Sequence, residues 1–347
     1  MAYTQEQLLA MAKPSQALVD AMRVKPFKSA SGPDVTIEKM RQVRSDQLEE
    51  QRPLYPIPGP IPDEVKEVLH SVKARDGYDI PIKIYTPVKQ SSSPSPLILL
   101  YHEGGWCQGD LNDEDHDARQ FSRSLNAVCV NIDYRLAPEH AFPTGLNDCY
   151  DVTTWAAKTA TPGHDLLPAD PKAGFIVGGV SAGGNFAAVM CQTLRDENFS
   201  PPITGQYLSV ASLMWHTEVP EKWQAECRSR TTSAEDPVLG NSLTGSEAFL
   251  HILQVDPKDP RFSPMLHKNL AGLPPAYFQL CGLDPLRDEG LLYARVLSEE
   301  HNTPVKVDMY EGLGHAGWFN WPELEQSKKF FADTVEGVRW LLQTRRS

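Results

Sequence analysis

One hexapeptide limits the fold of this chain more than anything else in it. Gly179-Val180-Ser181-Ala182-Gly183-Gly184 follows an apolar, strand-like run at 174–180 and precedes a small-residue helical pattern at 183–194. A serine held there stands on a tight strand-to-helix turn, where a Cβ on the flanking positions would clash and glycine fits. Its hydroxyl is presented above the carboxyl edge of a sheet. The Ala182 N–H, at the helix start, then faces any negative charge that develops on a group attacked by Ser181.

Such a turn needs a sheet around it, and the remaining pattern supplies one. Strand-like runs at 97–101, 127–134, 207–214, 276–281 and 305–310 alternate with helical spacing at 144–158, 288–299 and 323–343. Upstream, runs at 65–74 and 78–85 flank the turn signal Asp76-Gly77, which reads as a β-hairpin, and 90–96 is a polar loop. The expectation is an eight-stranded, mostly parallel sheet with helices on both faces.

Two segments stand outside that rhythm. Residues 1–62 carry helical spacing at 5–22 and 36–52 and end in a proline cluster at 53–62. Between 214 and 276 there is no central-strand run, and the stretch is too long for an ordinary connection. The expected organisation is a core of 63–214 and 270–347, with a helical cap built from the insertion 215–269 and the segment 1–62.

A serine nucleophile needs a base, and the base needs an orienting acid, both at carboxyl ends of later strands. Asp284 follows the strand at 277–281 and His315 the strand at 305–310, inside the glycine-rich Gly312-Leu313-Gly314-His315-Ala316-Gly317. Asp288 competes as the acid but reads better as the N-cap of a helix over 289–297. After the strand 97–101 comes His102-Glu103-Gly104-Gly105-Trp106, a loop whose backbone N–H groups can complete an oxyanion hole with Ala182. Trp106, Met214 and Trp215 lie beside this site, either lining an acyl pocket or packing as core.

From about Tyr78 onward the chain resembles the hormone-sensitive-lipase-like branch (family IV) of the α/β-hydrolases. The likeness rests on the HEGG loop, the GVSAGG turn, DYRLAPEH at 133–140, DPRFSP at 259–264, the Leu273-Pro274-Pro275 strand entry, the DPLRDEG segment and the HAG turn at His315. It implies an α/β-hydrolase fold with a helical cap, Ser181 as nucleophile, Asp284 as orienting acid and His315 as general base. It assigns the oxyanion donors to Gly104, Gly105 and Ala182, and implies hydrolysis of esters with short to medium acyl chains. Acyl transfer, amide or lactone cleavage and lyase chemistry remain open on the same three residues. A receptor role is disfavoured, because receptors of this fold lose the histidine that is present here as His315.

Two positions depart from the family. Glu103 stands where the family has the first glycine of its HGGG loop, and Val180 stands where it has an acid. A carboxylate beside an oxyanion opposes the charge that catalysis must stabilise. Glu103 is therefore expected to turn aside and pair with a basic group such as Arg135. The sharper expectation is that the carboxylate role has moved from 180 to 103, where it positions water, holds the loop or selects a polar or cationic substrate.

Composition narrows the partners. Lys plus Arg number 33 against 45 Asp plus Glu, a formal net charge of −12, which gives no attraction for nucleic acid or anionic lipid. No apolar run approaches the length of a membrane span. The six cysteines are scattered singly, without a CxxC pair, and are expected to be reduced. The opening MAYTQEQLLAMAKPSQ has neither the basic start nor the apolar core of a secretory signal. The resulting expectation is a cytoplasmic enzyme without metal or organic cofactor, acting on a small-molecule ester, with a homodimer compatible with the sequence.

Overall fold

Among the described residues eight strands form one sheet: β1 (Val65–Lys73), β2 (Asp79–Pro87), β3 (Leu97–Tyr101), β4 (Val128–Ile132), β5 (Phe175–Val180), β6 (Gly205–Ser209), β7 (Ala276–Cys281) and β8 (Val305–Tyr310). Their spatial order is β1-β2-β4-β3-β5-β6-β7-β8. The hairpin β1–β2 is antiparallel and β2 joins β4 antiparallel, whereas β4, β3 and β5 to β8 run parallel. The computed structural model describes residues 3–28, 36–89, 93–240 and 247–344. Positions 90–92 of the expected polar loop, 241–246 of the expected insertion and the last three residues lie outside them.

The central strands β3 to β7 are buried at every position, and β3 is apolar throughout, because both faces of the sheet are covered. In β3, Leu97, Leu99 and Tyr101 pack into one core and Ile98 and Leu100 into another, the period of two hidden inside an unbroken apolar run.

Eleven α-helices surround the sheet among the described residues: α1 (Gln5–Met11), α2 (Gln16–Val24), α3 (Ile37–Gln51), α4 (Asp115–Leu125), α5 (Thr144–Thr159), α6 (Ala182–Asp196), α7 (Ser229–Thr232), α8 (Glu247–Leu253), α9 (Arg287–Arg295), α10 (Gly317–Asn320) and α11 (Glu325–Gln343). Helices α5, α6 and α9 bury Leu146, Val152, Phe186, Leu194 and Leu292 on the first face. Helices α4 and α11 bury Phe121, Val338 and Leu341 on the second.

Several expected elements change shape. The helix expected at 5–22 is two, because Pro14 has no N–H to continue the ladder and Ser15 starts α2 by accepting from the Leu18 N–H at 3.2 Å. The strand expected at 207–214 ends at Ser209, since Val210 takes φ 39° and turns the chain out of the sheet. The helix expected to run to 299 is α-helical only to Arg295 and finishes in a π-turn. Asp288 is no N-cap: Leu286 holds that place without a side-chain bond, and Asp288 accepts from the N–H groups of Arg228 and Ser229 at 2.8 and 2.7 Å. Helix α4 has no counterpart among the expected elements, because charged residues of both signs hide its buried face. That face is stabilised by ion pairs, with Asp115 meeting Lys83 and Arg119, and Arg119 reaching Glu67.

The amino-terminal helices lie over the loops at the carboxyl ends of β7 and β8. Leu18 is buried with Leu283 and Trp321, Arg287 donates to the Leu8 carbonyl at 2.7 Å, and the Ser15 N–H donates to the Gly312 carbonyl at 3.1 Å. That arrangement brings residues far from the core in sequence up against the site loops.

Helix α11 approaches the sheet so closely that a Cβ on Gly337 would lie 1.9 Å from the Tyr277 ring. Gly337→Ala is expected to destabilise the fold by about 1–3 kcal/mol through overpacking. Urea unfolding of the variant beside the parent chain measures it.

Candidate active site

The turn between β5 and α6 is held by contact with β3. A Cβ on Gly183 would sit 1.8 Å from the Tyr101 carbonyl oxygen, so the helix start passes directly over the end of that strand. Ser181 pays for this proximity with φ 54° and ψ −111°, a conformation that non-glycine residues rarely adopt. Its N–H donates to the Ser209 carbonyl at 2.9 Å, and its carbonyl accepts from Asn185 N–H at 3.0 Å. Val180, where the family has an acid, is fully buried in an apolar cluster with Val210, Cys281 and Leu313.

Asp284 and His315 arrive beside Ser181 from the ends of β7 and β8. His315 Nδ1 is 2.8 Å from Asp284 Oδ2, and Nε2 is 3.0 Å from Ser181 Oγ. A carboxylate only accepts, so Nδ1–H donates to Asp284 and the bare Nε2 accepts from the Ser181 hydroxyl. The other Asp284 oxygen accepts from the Leu286 N–H at 2.7 Å, which fixes the carboxylate's rotation. Burial by itself would lower the imidazole pKa. The carboxylates of Asp284, Asp236 and Glu103 outweigh burial and hold it above its ordinary 6.5. The geometry is that of a hydroxyl deprotonated by an imidazole that a carboxylate orients.

The loop after β3 wraps beside the serine. Gly104 takes φ +113° and its carbonyl accepts from the N–H groups of Cys107 and Gln108, a turn that leaves the Gly104 and Gly105 N–H groups out of its own bonding. A Cβ on Gly104 would lie 2.3 Å from the Gln108 carbonyl oxygen. Ala182 is the first residue of α6, so its N–H has no intrahelical acceptor.

Glu103 does turn to a cation, but the cation is Arg44 of α3 rather than Arg135. Arg44 Nη2 lies 2.8 Å from Glu103 and 3.0 Å from Asp113. Arg135 is taken by Asp148 and Asp76, each at 2.7 Å. Burial raises the Glu103 carboxyl pKa; Arg44 and His315 oppose the rise without cancelling it. One turn earlier in α3, Arg41 donates to the carbonyls of Cys107 at 2.7 Å and Ala137 at 2.9 Å. One turn later, Gln47 donates to Asn320, which itself donates to the Ala316 carbonyl beside His315. A single helix thus holds the HEGG loop and the histidine loop from outside.

Trp106 and Trp215 join Phe249 and Phe262 in an aromatic cluster, Trp215 almost fully buried and Trp106 half-buried. Met214 is buried in the main core. Two residues of this neighbourhood were not found from the sequence. Arg44 has no local signal, and Asp236, which accepts from the His315 N–H at 2.6 Å, is separated from it by 79 positions.

Sheet, elbow and the three side chains together define an α/β hydrolase with a serine at its strand-to-helix turn. The alpha/beta hydrolase fold family matches residues 98–319. An AB hydrolase superfamily protein of Schizosaccharomyces pombe is 37% identical over 82% of this chain and 82% of its own. Carboxylesterase NlhH of Mycobacterium tuberculosis is 31% identical over 82% and 84%. Among solved structures, a vibralactone cyclase is 30% identical with a TM-score of 0.87 over 99% of both chains, and a bacterial heroin esterase is 26% identical with a TM-score of 0.78 over 96% and 99%. The chain belongs to the α/β-hydrolase family, in its hormone-sensitive-lipase-like branch.

All six cysteines are unpaired by disulfides, and no helix among the described residues is long and apolar enough to cross a membrane. Arg44 keeps one-fifth of its side chain exposed while Glu103 and Asp113 are buried. Arg44→Met strips both carboxylates of this cation and is expected to cost about 1–3 kcal/mol, between an exposed and a buried pair. Chemical denaturation checks it, and adding Glu103→Gln is expected to cost less than the sum of the single changes.

Proposed function

We propose that this protein is a carboxylesterase that cleaves small esters of short to medium acyl chain through an acyl-enzyme on Ser181. The observation that carries the reading is the continuous bond path from Asp284 through His315 to the Ser181 hydroxyl. His315 Nε2 takes the hydroxyl proton as Ser181 Oγ attacks the acyl carbonyl, and the carbonyl oxygen becomes an oxyanion. The N–H groups of Gly104, Gly105 and Ala182 receive that charge, each such donor being worth about 2.7–4 kcal/mol in the transition state. The imidazolium, steadied by Asp284, returns the proton to the leaving alcohol. Water then repeats the sequence on the acyl-enzyme, with His315 again as base, and frees the carboxylic acid.

Glu103 lies near the developing negative charge, and its pairing with Arg44 reduces the repulsion it would otherwise exert. The aromatic cluster of Trp106, Phe249 and Phe262 bounds the acyl chain. Residues 1–62 and 215–269 act as the cap that limits substrate size, and the enzyme works in the cytoplasm without a cofactor. The likeness to vibralactone cyclase over the whole chain favours a second reading, ring closure, in which a hydroxyl of the acyl group replaces water as the attacking group. A hydroxyacyl ester separates the two by mass spectrometry: the cyclised product lacks one water relative to the hydroxy acid.

A panel of p-nitrophenyl esters from acetate to decanoate is expected to give a rate maximum at short or medium chains. Ser181→Ala is expected to lose about 10⁴-fold or more in kcat. Robust turnover by that variant would remove Ser181 from the reaction. Because the active base is the neutral imidazole and its pKa is raised, kcat/KM should fall as pH drops through an apparent pKa above 6.5. A pH–rate profile that stays flat to pH values well below that would contradict His315 as the base.

A further inference from the structure

The His315 loop is held by a carboxylate that belongs to neither the sheet nor its own loop. Asp236 lies in the excursion between β6 and β7 and is buried to 3% exposure. One of its oxygens accepts from the N–H groups of Val238 and Leu239, at 2.9 and 2.5 Å, and the other from the His315 N–H at 2.6 Å. The contact is tight on both sides. A Cβ on Gly314 would come 2.3 Å from Asp236 Oδ2, and one on Gly240 would come 2.5 Å from the Asp236 carbonyl oxygen. The same excursion is anchored to the segment carrying Asp284: Ser229 Oγ donates to the Pro285 carbonyl at 2.7 Å, and Asp288 accepts from the Arg228 and Ser229 N–H groups. One short stretch, 228–240, therefore spans the loops that carry the acid and the base.

We propose that Asp236 is a positioning residue for His315, fixing its backbone by accepting the His315 N–H and placing a second negative charge beside the imidazole that Asp284 orients. The proposal rests on His315 acting as the general base, and it links the state of the excursion directly to that base.

Only a carboxylate satisfies this geometry. Three backbone donors converge on its two oxygens, and an asparagine has a single acceptor oxygen, so one donor would face its NH₂ group. The groups facing the imidazole come from three elements: Asp284 after β7, Asp236 from the excursion, and Glu103 from the loop after β3 with Arg44 behind it. Burial and neighbouring Asp284 push the Asp236 carboxyl up to about 7, while His315 and the backbone donors pull it back. Each of these two groups therefore titrates in the field of the other.

The test is the pH dependence of kcat and KM on a p-nitrophenyl ester for Asp236→Asn and Gly314→Ala beside the parent enzyme. Asp236→Asn removes the charge and one acceptor. Gly314→Ala keeps the carboxylate but drives it from the His315 N–H, and it serves if the first variant does not fold. For either folded variant the expected result is a fall in kcat of about 10- to 100-fold from a misplaced base, with KM within about twofold. For Asp236→Asn the acid limb of kcat/KM should also move to lower pH, because losing a negative neighbour lowers the imidazole pKa. A folded variant with unchanged kcat overturns the proposal, as does a fall in kcat for Asp236→Asn whose acid limb stays in place. A parent enzyme that turns over none of the esters fails the esterase reading instead, which keeps the two outcomes apart.

Discussion

The passage of the α6 start over the Tyr101 carbonyl is the contact on which the site depends. With no side chain at Gly183, the end of β3 and the turn after β5 come together at backbone distance. Ser181 is forced to positive φ, and the HEGG loop, which continues from Tyr101, lies beside it. Nucleophile and oxyanion loop are neighbours because two adjacent parallel strands end together. A methyl group at Gly183 has no flexible side chain to displace, only a carbonyl, so the approach cannot be relaxed without moving a strand.

Around that contact the molecule arranges charge at a low dielectric. Glu103, Asp236 and Asp284 act together on one imidazole, and Arg44 offsets the first of them. Such a set makes the base stronger, which suits a histidine that must accept and return a proton in each half-reaction. The loss of the family acid at 180 fits the same account. Val180 points into an apolar cluster that offers a carboxylate no partner, whereas position 103 has a guanidinium within 2.8 Å.

Sequence patterns reached the sheet, the elbow and the three central side chains because each obeys a local rule. Apolar runs mark covered strands, glycines mark the turn, and the order serine, acid, histidine follows strand order. What local rules could not reach were contacts between distant segments. Arg135 stands as an example of the basic group expected to meet Glu103, but two carboxylates already saturate it, and the partner comes from a helix 59 positions away. Asp288 reads as a helix cap, yet one of its oxygens serves the excursion and the other accepts from Arg287. Helix α4 is hard to read from sequence because its narrow apolar stripe, Ala118 and Phe121, is flanked by buried ion pairs that look like a solvated face. The clamp of α3 on both site loops is likewise a property of the folded chain.

The central claim is that Ser181 is the one hydroxyl made nucleophilic by its surroundings. Labelling the folded protein with a fluorophosphonate, followed by intact mass and peptide mapping, tests it directly. The account predicts a single adduct, located on Ser181, and none once the protein is unfolded before exposure. An adduct mapped to any other residue, or labelling that persists in Ser181→Ala, would contradict it.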